Sequence, residues 1–116
     1  MSEPAPVPLA LPPVTDEVIA GIARCIVEQF QPEKVILFGS RAWGVAREDS
    51  DIDILVIMES DEPWAARSAR VSSQCRPRLV ALDVLVKTPS EVEARLQIGD
   101  HFIKRILSEG RVLYAR

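Results

Sequence analysis

Two aspartates, Asp51 and Asp53, open an apolar run, Asp51-Ile-Asp-Ile-Leu-Val-Ile-Met58. Residues two apart in an extended strand point to the same face, so this spacing sets the two carboxylates side by side. A third, Asp83, lies inside another apolar run, Leu79-Val-Ala-Leu-Asp-Val-Leu-Val86. A buried carboxylate without a partner is costly. Two of them ~5 Å apart repel by about 3 kcal/mol at an effective dielectric near 20. If the three converge, something must offset that repulsion. A pair of divalent cations would, and carboxylate oxygens suit the hard ions Mg²⁺ or Mn²⁺.

Upstream, Gly39-Ser40 closes a third apolar run, Lys34-Val-Ile-Leu-Phe-Gly39. Glycine allows close approach of the backbone to a ligand. The Ser40 hydroxyl and the N–H groups at the start of a helical turn can hold phosphate oxygens. A phosphate-binding corner therefore precedes a metal-binding strand by about a dozen residues. Together they describe a site for a metal–triphosphate complex. Arg41 and Arg47 flank the corner, and their guanidinium groups suit phosphate oxygens.

Hydrophobic periodicity supplies the elements that must position these groups. Val18, Ile22, Ile26 and Phe30 recur every fourth residue, with Ile19, Ala23 and Val27 beside them, predicting a helix capped by Thr15 or Asp16 and ending before Pro32. Strands are predicted over Lys34–Gly39, Asp51–Met58 and Leu79–Val86, the second apolar on both faces and hence central in a sheet. Ser40 to Arg47 has room for a turn or two of helix. Pro63 starts a helix running to about Gln74. The Ser90-Glu-Val-Glu93 capping-box pattern opens a helical region that Gly99 splits and Gly110 ends. Val112-Leu113-Tyr114 adds an edge strand. The alternation predicts an α/β (α+β) fold, a small β-sheet with helices packed on it. Residues 1–14 hold five of the nine prolines and read as an extended arm rather than a signal peptide. Residues 15–116 form the domain.

The segment Gly39-Ser-Arg-Ala-Trp-Gly-Val-Ala-Arg-Glu-Asp-Ser-Asp-Ile-Asp53 fits G-S-x10-D-x-D. It resembles the nucleotidyltransferase superfamily that includes DNA polymerase beta. Within it, the chain looks most like the minimal nucleotidyltransferases (MNT), antitoxin partners of HEPN toxins. The resemblance covers about residues 15–115. It implies the polymerase beta-like fold, with a mixed sheet. It implies that Asp51 and Asp53 ligate two metal ions, Mg²⁺ or Mn²⁺. Asp83 would complete the ion nearer the attacking hydroxyl and help deprotonate it, while Gly39 and Ser40 hold the β- and γ-phosphates. It further implies transfer of AMP from ATP to a tyrosine of a HEPN-family RNase, which silences that toxin.

Composition agrees with a cytoplasmic domain. The chain of 116 residues has 47% hydrophobic and 27% charged residues, net charge -3 and pI near 5.2, and no apolar run long enough to span a bilayer. An acidic chain is a poor general nucleic-acid binder, and it lacks a polybasic membrane anchor. Cys25 and Cys75, fifty apart with no second pair, give neither a disulfide framework nor a Cys-rich zinc site. Cys25, beside the apolar stripe, reads as a small hydrophobe. Arg95 and His101 form R-x5-H, but the break expected at Gly99 and Asp100 separates them. Trp43 reads as a packing or partner-contact residue, with base stacking as the alternative. Trp64 reads as core or interface.

Other readings stay open. Asp51 and Asp53 could border a strand in solvent, and Asp83 could be a buried acid paired with an arginine such as Arg78. The acceptor could instead be a small molecule, as for the aminoglycoside-modifying enzymes that share the motif. About thirty residues follow the third strand, too few for a separate substrate-binding domain. A macromolecular partner, or a homo-oligomer sharing a site, is therefore expected to complete the acceptor surface. The chain could also be a non-catalytic module that neutralises a partner by binding alone.

Overall fold

The computed structural model describes residues 13–47 and 50–116. The arm expected over residues 1–14 lies outside the described residues except for its last two. Of these, Val14 packs against the core.

Helix α1, Asp16–Phe30, starts where Thr15 accepts the Val18 N–H at 3.2 Å, and stops at Gln31 in the left-handed region just before Pro32. Strand β1, Lys34–Phe38, runs into the single-turn helix α2, Ser40–Trp43. Strand β2, Ile52–Ile57, is followed by α3, Trp64–Cys75, directly after Pro63. Strand β3, Leu82–Lys87, leads to α4, Pro89–Gln97, and α5, His101–Glu109. Gly99, with φ +78°, and the Asp100 cap separate these two helices, as their residue types predict. Strand β4 is Arg111–Ala115.

The sheet order is β3-β2-β1-β4. Strand β1 pairs antiparallel with β2 and β4, whereas β2 and β3 are parallel, joined by a crossover through α3. The sheet is thus mixed, β2 is interior, and β4 lies at an edge. Alternation along the strands gives two covered faces. Val35, Leu37, Ile54, Val56 and Val84 pack with Ile22 and Ile26 of α1 and Val71 of α3. Ile36, Phe38, Leu55 and Ile57 pack with Val92 of α4 and Ile103 and Ile106 of α5. Asp53 is in phase with Leu55 and Ile57, so it shares the face covered by α4 and α5.

Local details differ from the sequence pattern. The capping box of α4 is Thr88 with Glu91, two residues earlier than Ser90 with Glu93, because Pro89 occupies the first helical turn, where its missing N–H costs nothing. The third strand begins at Leu82. Leu79 turns outward at φ 65° in a turn closed by Val80 N–H to the Pro77 carbonyl. Trp64 is 65% exposed rather than core. Arg67 is buried, where it donates to Glu91 of the α4 cap and to the Glu62 carbonyl and so ties α3 to the start of α4.

Cys25 is not merely a small hydrophobe beside the apolar stripe. Cys25 of α1 and Cys75 of α3 are joined as a disulfide, with Cα atoms 5.6 Å apart. Both helices cover the same face of the sheet, and that adjacency brings together two thiols that sequence separation alone does not connect. Reduction of this bond, or the pair Cys25→Ser and Cys75→Ser, should lower the unfolding free energy of the oxidised protein by about 2–4 kcal/mol. Denaturant titration with and without a reductant measures it.

Candidate active site

Asp53 stands between two neighbours fixed by register. Its Cα pairs with that of Phe38 on β1 and with that of Asp83 on β3. In-register residues of adjacent strands share a face, so Asp53 and Asp83 project together. Asp51, immediately before β2, lies two residues from Asp53. Gly39 follows Phe38 at φ +79°, and a Cβ added there would overlap Asp53 Oδ2. The Asp53 carboxylate therefore rests against the bare Cα of Gly39, a contact that only glycine permits. Ser40 opens α2, where the Gly39 carbonyl accepts the N–H groups of Ala42 and Trp43. The fold thus brings the Gly39-Ser40 corner to the aspartates through the β1–β2 pairing.

Asp53 is half-buried, while Asp51 and Asp83 are exposed. The burial expected for Asp83 is not found, because β3 is an edge strand. Neither Asp83 nor Arg78 takes part in any ion pair among the described residues. Burial raises the Asp53 pKa from its ordinary value, and the charges of Asp83 and then Asp51 push it further the same way. The aspartates are thus near enough to repel one another, and their donors are all carboxylate oxygens, which fits hard divalent cations. Among the described residues, no three His, Cys, Asp or Glu side chains are gathered closely enough to enclose an ion as they stand.

The raised pKa has a consequence for folding. A carboxylate whose folded pKa lies above its unfolded value contributes stability at low pH and loses it as pH rises through the folded pKa. Once ionised, Asp53 is therefore a liability to the fold. Asp53→Asn should raise the thermal midpoint of the metal-free protein slightly. Mg²⁺ should raise the midpoint of the wild type but not of the variant. Differential scanning fluorimetry across a Mg²⁺ series checks both.

Arg41 does not face a phosphate position freely, since its guanidinium is bonded to the Ser50 and Arg47 carbonyls. Trp43 is a packing residue. Its ring lies 6.4 Å from that of Phe38, and the Arg105 guanidinium sits 4.2 Å over it. Phe102 meets Phe38 edge-on at 5.5 Å and remains half-exposed beside the aspartate face. Sequence reasoning passed over Phe102 and Arg105 because only the packing of α5 on β1 brings them near the corner. His101 begins α5 and is exposed.

Fold and motif together define an enzyme of nucleotide transfer. The chain matches the nucleotidyltransferase domain family over residues 19–114, and it belongs to that family. It is similar to a provisionally named protein adenylyltransferase of Methanocaldococcus jannaschii, 37% identical over 84 residues that span 71% of this chain and 78% of the relative. Its fold is similar to the crystal structure of a provisionally named nucleotidyltransferase from Sulfolobus solfataricus, with a TM-score of 0.61, 24% identity, and coverage of 86% of this chain and 79% of that one. Among the described residues no helix is long and apolar enough to cross a membrane.

Proposed function

We propose that this nucleotidyltransferase moves AMP from ATP to a protein hydroxyl, a tyrosine of a HEPN-family RNase partner, and thereby acts as an antitoxin. The observation that carries the chemistry is the register of Asp53 with Asp83, with Asp51 two residues away and Gly39 beneath. The name of the Methanocaldococcus jannaschii relative supports a protein acceptor.

In this reading Asp51, Asp53 and Asp83 would hold two Mg²⁺ ions. When bound, the ions neutralise charge on the triphosphate and lower the pKa of the acceptor hydroxyl. The N–H groups at the Gly39-Ser40 corner and the Ser40 hydroxyl donate to the β- and γ-phosphate oxygens and orient the α-phosphorus. An Asp83 carboxylate oxygen takes the acceptor's proton. The acceptor oxygen bonds to the α-phosphorus, the bond from that phosphorus to the bridging oxygen breaks, and pyrophosphate leaves.

The test supplies ATP labelled at the α-phosphate, first with a HEPN RNase and then with small hydroxyl compounds, aminoglycosides included. Label on a tyrosine of the RNase, with loss of its nuclease activity, supports the reading. Label confined to small molecules defeats the protein acceptor. Neutralisation of the RNase without any label points to binding alone.

A further inference from the structure

Arg41 has no task in the reaction just described, and its surroundings supply one. It follows Ser40 within α2. Its Nε donates to the Ser50 carbonyl at 3.0 Å, and one terminal nitrogen, Nη2, donates to the same oxygen at 2.7 Å and to the Arg47 carbonyl at 3.2 Å. Two more bonds join the residues it grips, Ser50 N–H to the Arg47 carbonyl at 3.0 Å and Arg47 N–H to Ser50 Oγ at 2.9 Å. Ser50 immediately precedes Asp51. The paired ladder of β2 with β3 begins only at Ile52. Strand pairing therefore fixes Asp53 but stops one residue short of Asp51.

We propose that Arg41 is a positioning residue for Asp51: it clamps the Ser50 carbonyl to α2 and so sets the first aspartate relative to the Gly39-Ser40 corner. The chemistry suits a guanidinium in particular. Its fork presents several N–H donors in one rigid plane and can hold two carbonyls at once, whereas an ammonium on a flexible stem is a single point charge. These bonds occupy Nε and Nη2, so a two-pronged grip on a phosphate would require at least one of them to be released. Carboxylate placement matters on the scale of an ångström, where a displacement can cost about 10²-fold in rate.

The proposal rests on the reading of Asp51 as a metal ligand, and its test separates the two. Arg41→Lys and Arg41→Gln are compared with the wild type in amide exchange over residues 50–52, in Mn²⁺ binding followed by electron paramagnetic resonance, and in steady-state AMP transfer. The clamp predicts faster exchange at 50–52 with β1 unchanged. It also predicts Mn²⁺ binding weakened about tenfold, and kcat lowered about 10- to 100-fold while the KM for ATP changes by less than about threefold. Lysine, which can hold one carbonyl, should be the milder change. Unchanged exchange with a KM for ATP raised tenfold or more would overturn the proposal and make Arg41 a phosphate ligand. Faster exchange with kcat and Mn²⁺ binding intact would overturn it as well. If the wild type transfers no AMP, the proposed function fails, while exchange and Mn²⁺ binding still decide the clamp.

Discussion

Replacing Asp51 and Asp53 together with asparagine should lower kcat/KM for nucleotide transfer by at least ~10³-fold. Metal ions supply several kcal/mol of charge stabilisation in reactions of this type, and each 1.36 kcal/mol is about tenfold in rate. Asparagine keeps the shape of each side chain but removes the charge that, in the proposed function, would hold a hard cation. The fold should survive, because the ladder from Ile52 to Ile57 and its apolar face owe nothing to these carboxylates. Far-UV circular dichroism should therefore match the wild type while transfer falls to background. A variant retaining more than about a tenth of the wild-type rate would remove Asp51 and Asp53 from the metal site.

The second large effect concerns Gly39. A methyl group there meets Asp53 Oδ2 at well under van der Waals distance, in a backbone conformation of φ +79° that L residues seldom adopt. Gly39→Ala therefore acts twice. The positive-φ backbone, with ψ -158°, costs on the order of 1–3 kcal/mol for a residue with a Cβ, and the displaced carboxylate loses its position. Stability should fall by about 1–3 kcal/mol in a denaturant titration, and kcat by about 10²-fold. Gly99 makes a useful control. It has a similar φ of +78°, yet nothing lies within 4 Å of its added Cβ. Gly99→Ala should share the stability loss and spare the rate, which separates backbone strain from the displacement of Asp53.

Much of this arrangement is legible in the chain itself. The apolar runs around Phe38, Asp53 and Asp83 name β1, β2 and β3. The every-fourth-residue stripe from Val18 to Phe30 gives α1, and Gly99 with Asp100 marks the break between α4 and α5. What the chain does not disclose depends on which elements become neighbours. The Cys25–Cys75 bond needs α1 and α3 side by side on one face. The Arg67–Glu91 pair needs α3 packed near the start of α4. The exposure of Asp83 follows from the edge position of β3, which an apolar run cannot reveal. The turn at Leu79 reflects a left-handed backbone at a residue with no glycine to announce it. Arg41, whose charge suits a phosphate, is bonded instead to the backbone carbonyls of Arg47 and Ser50.

The most direct test of the central claim follows radiolabel from ATP to the HEPN RNase acceptor at neutral pH, with and without Mg²⁺. It compares the wild type with the Asp51→Asn, Asp53→Asn pair and with Asp83→Asn. The account predicts Mg²⁺-dependent incorporation from α-labelled ATP, none from γ-labelled ATP, and loss of incorporation in all the asparagine variants. Incorporation from the γ-phosphate, or equal incorporation by wild type and variants, would contradict it.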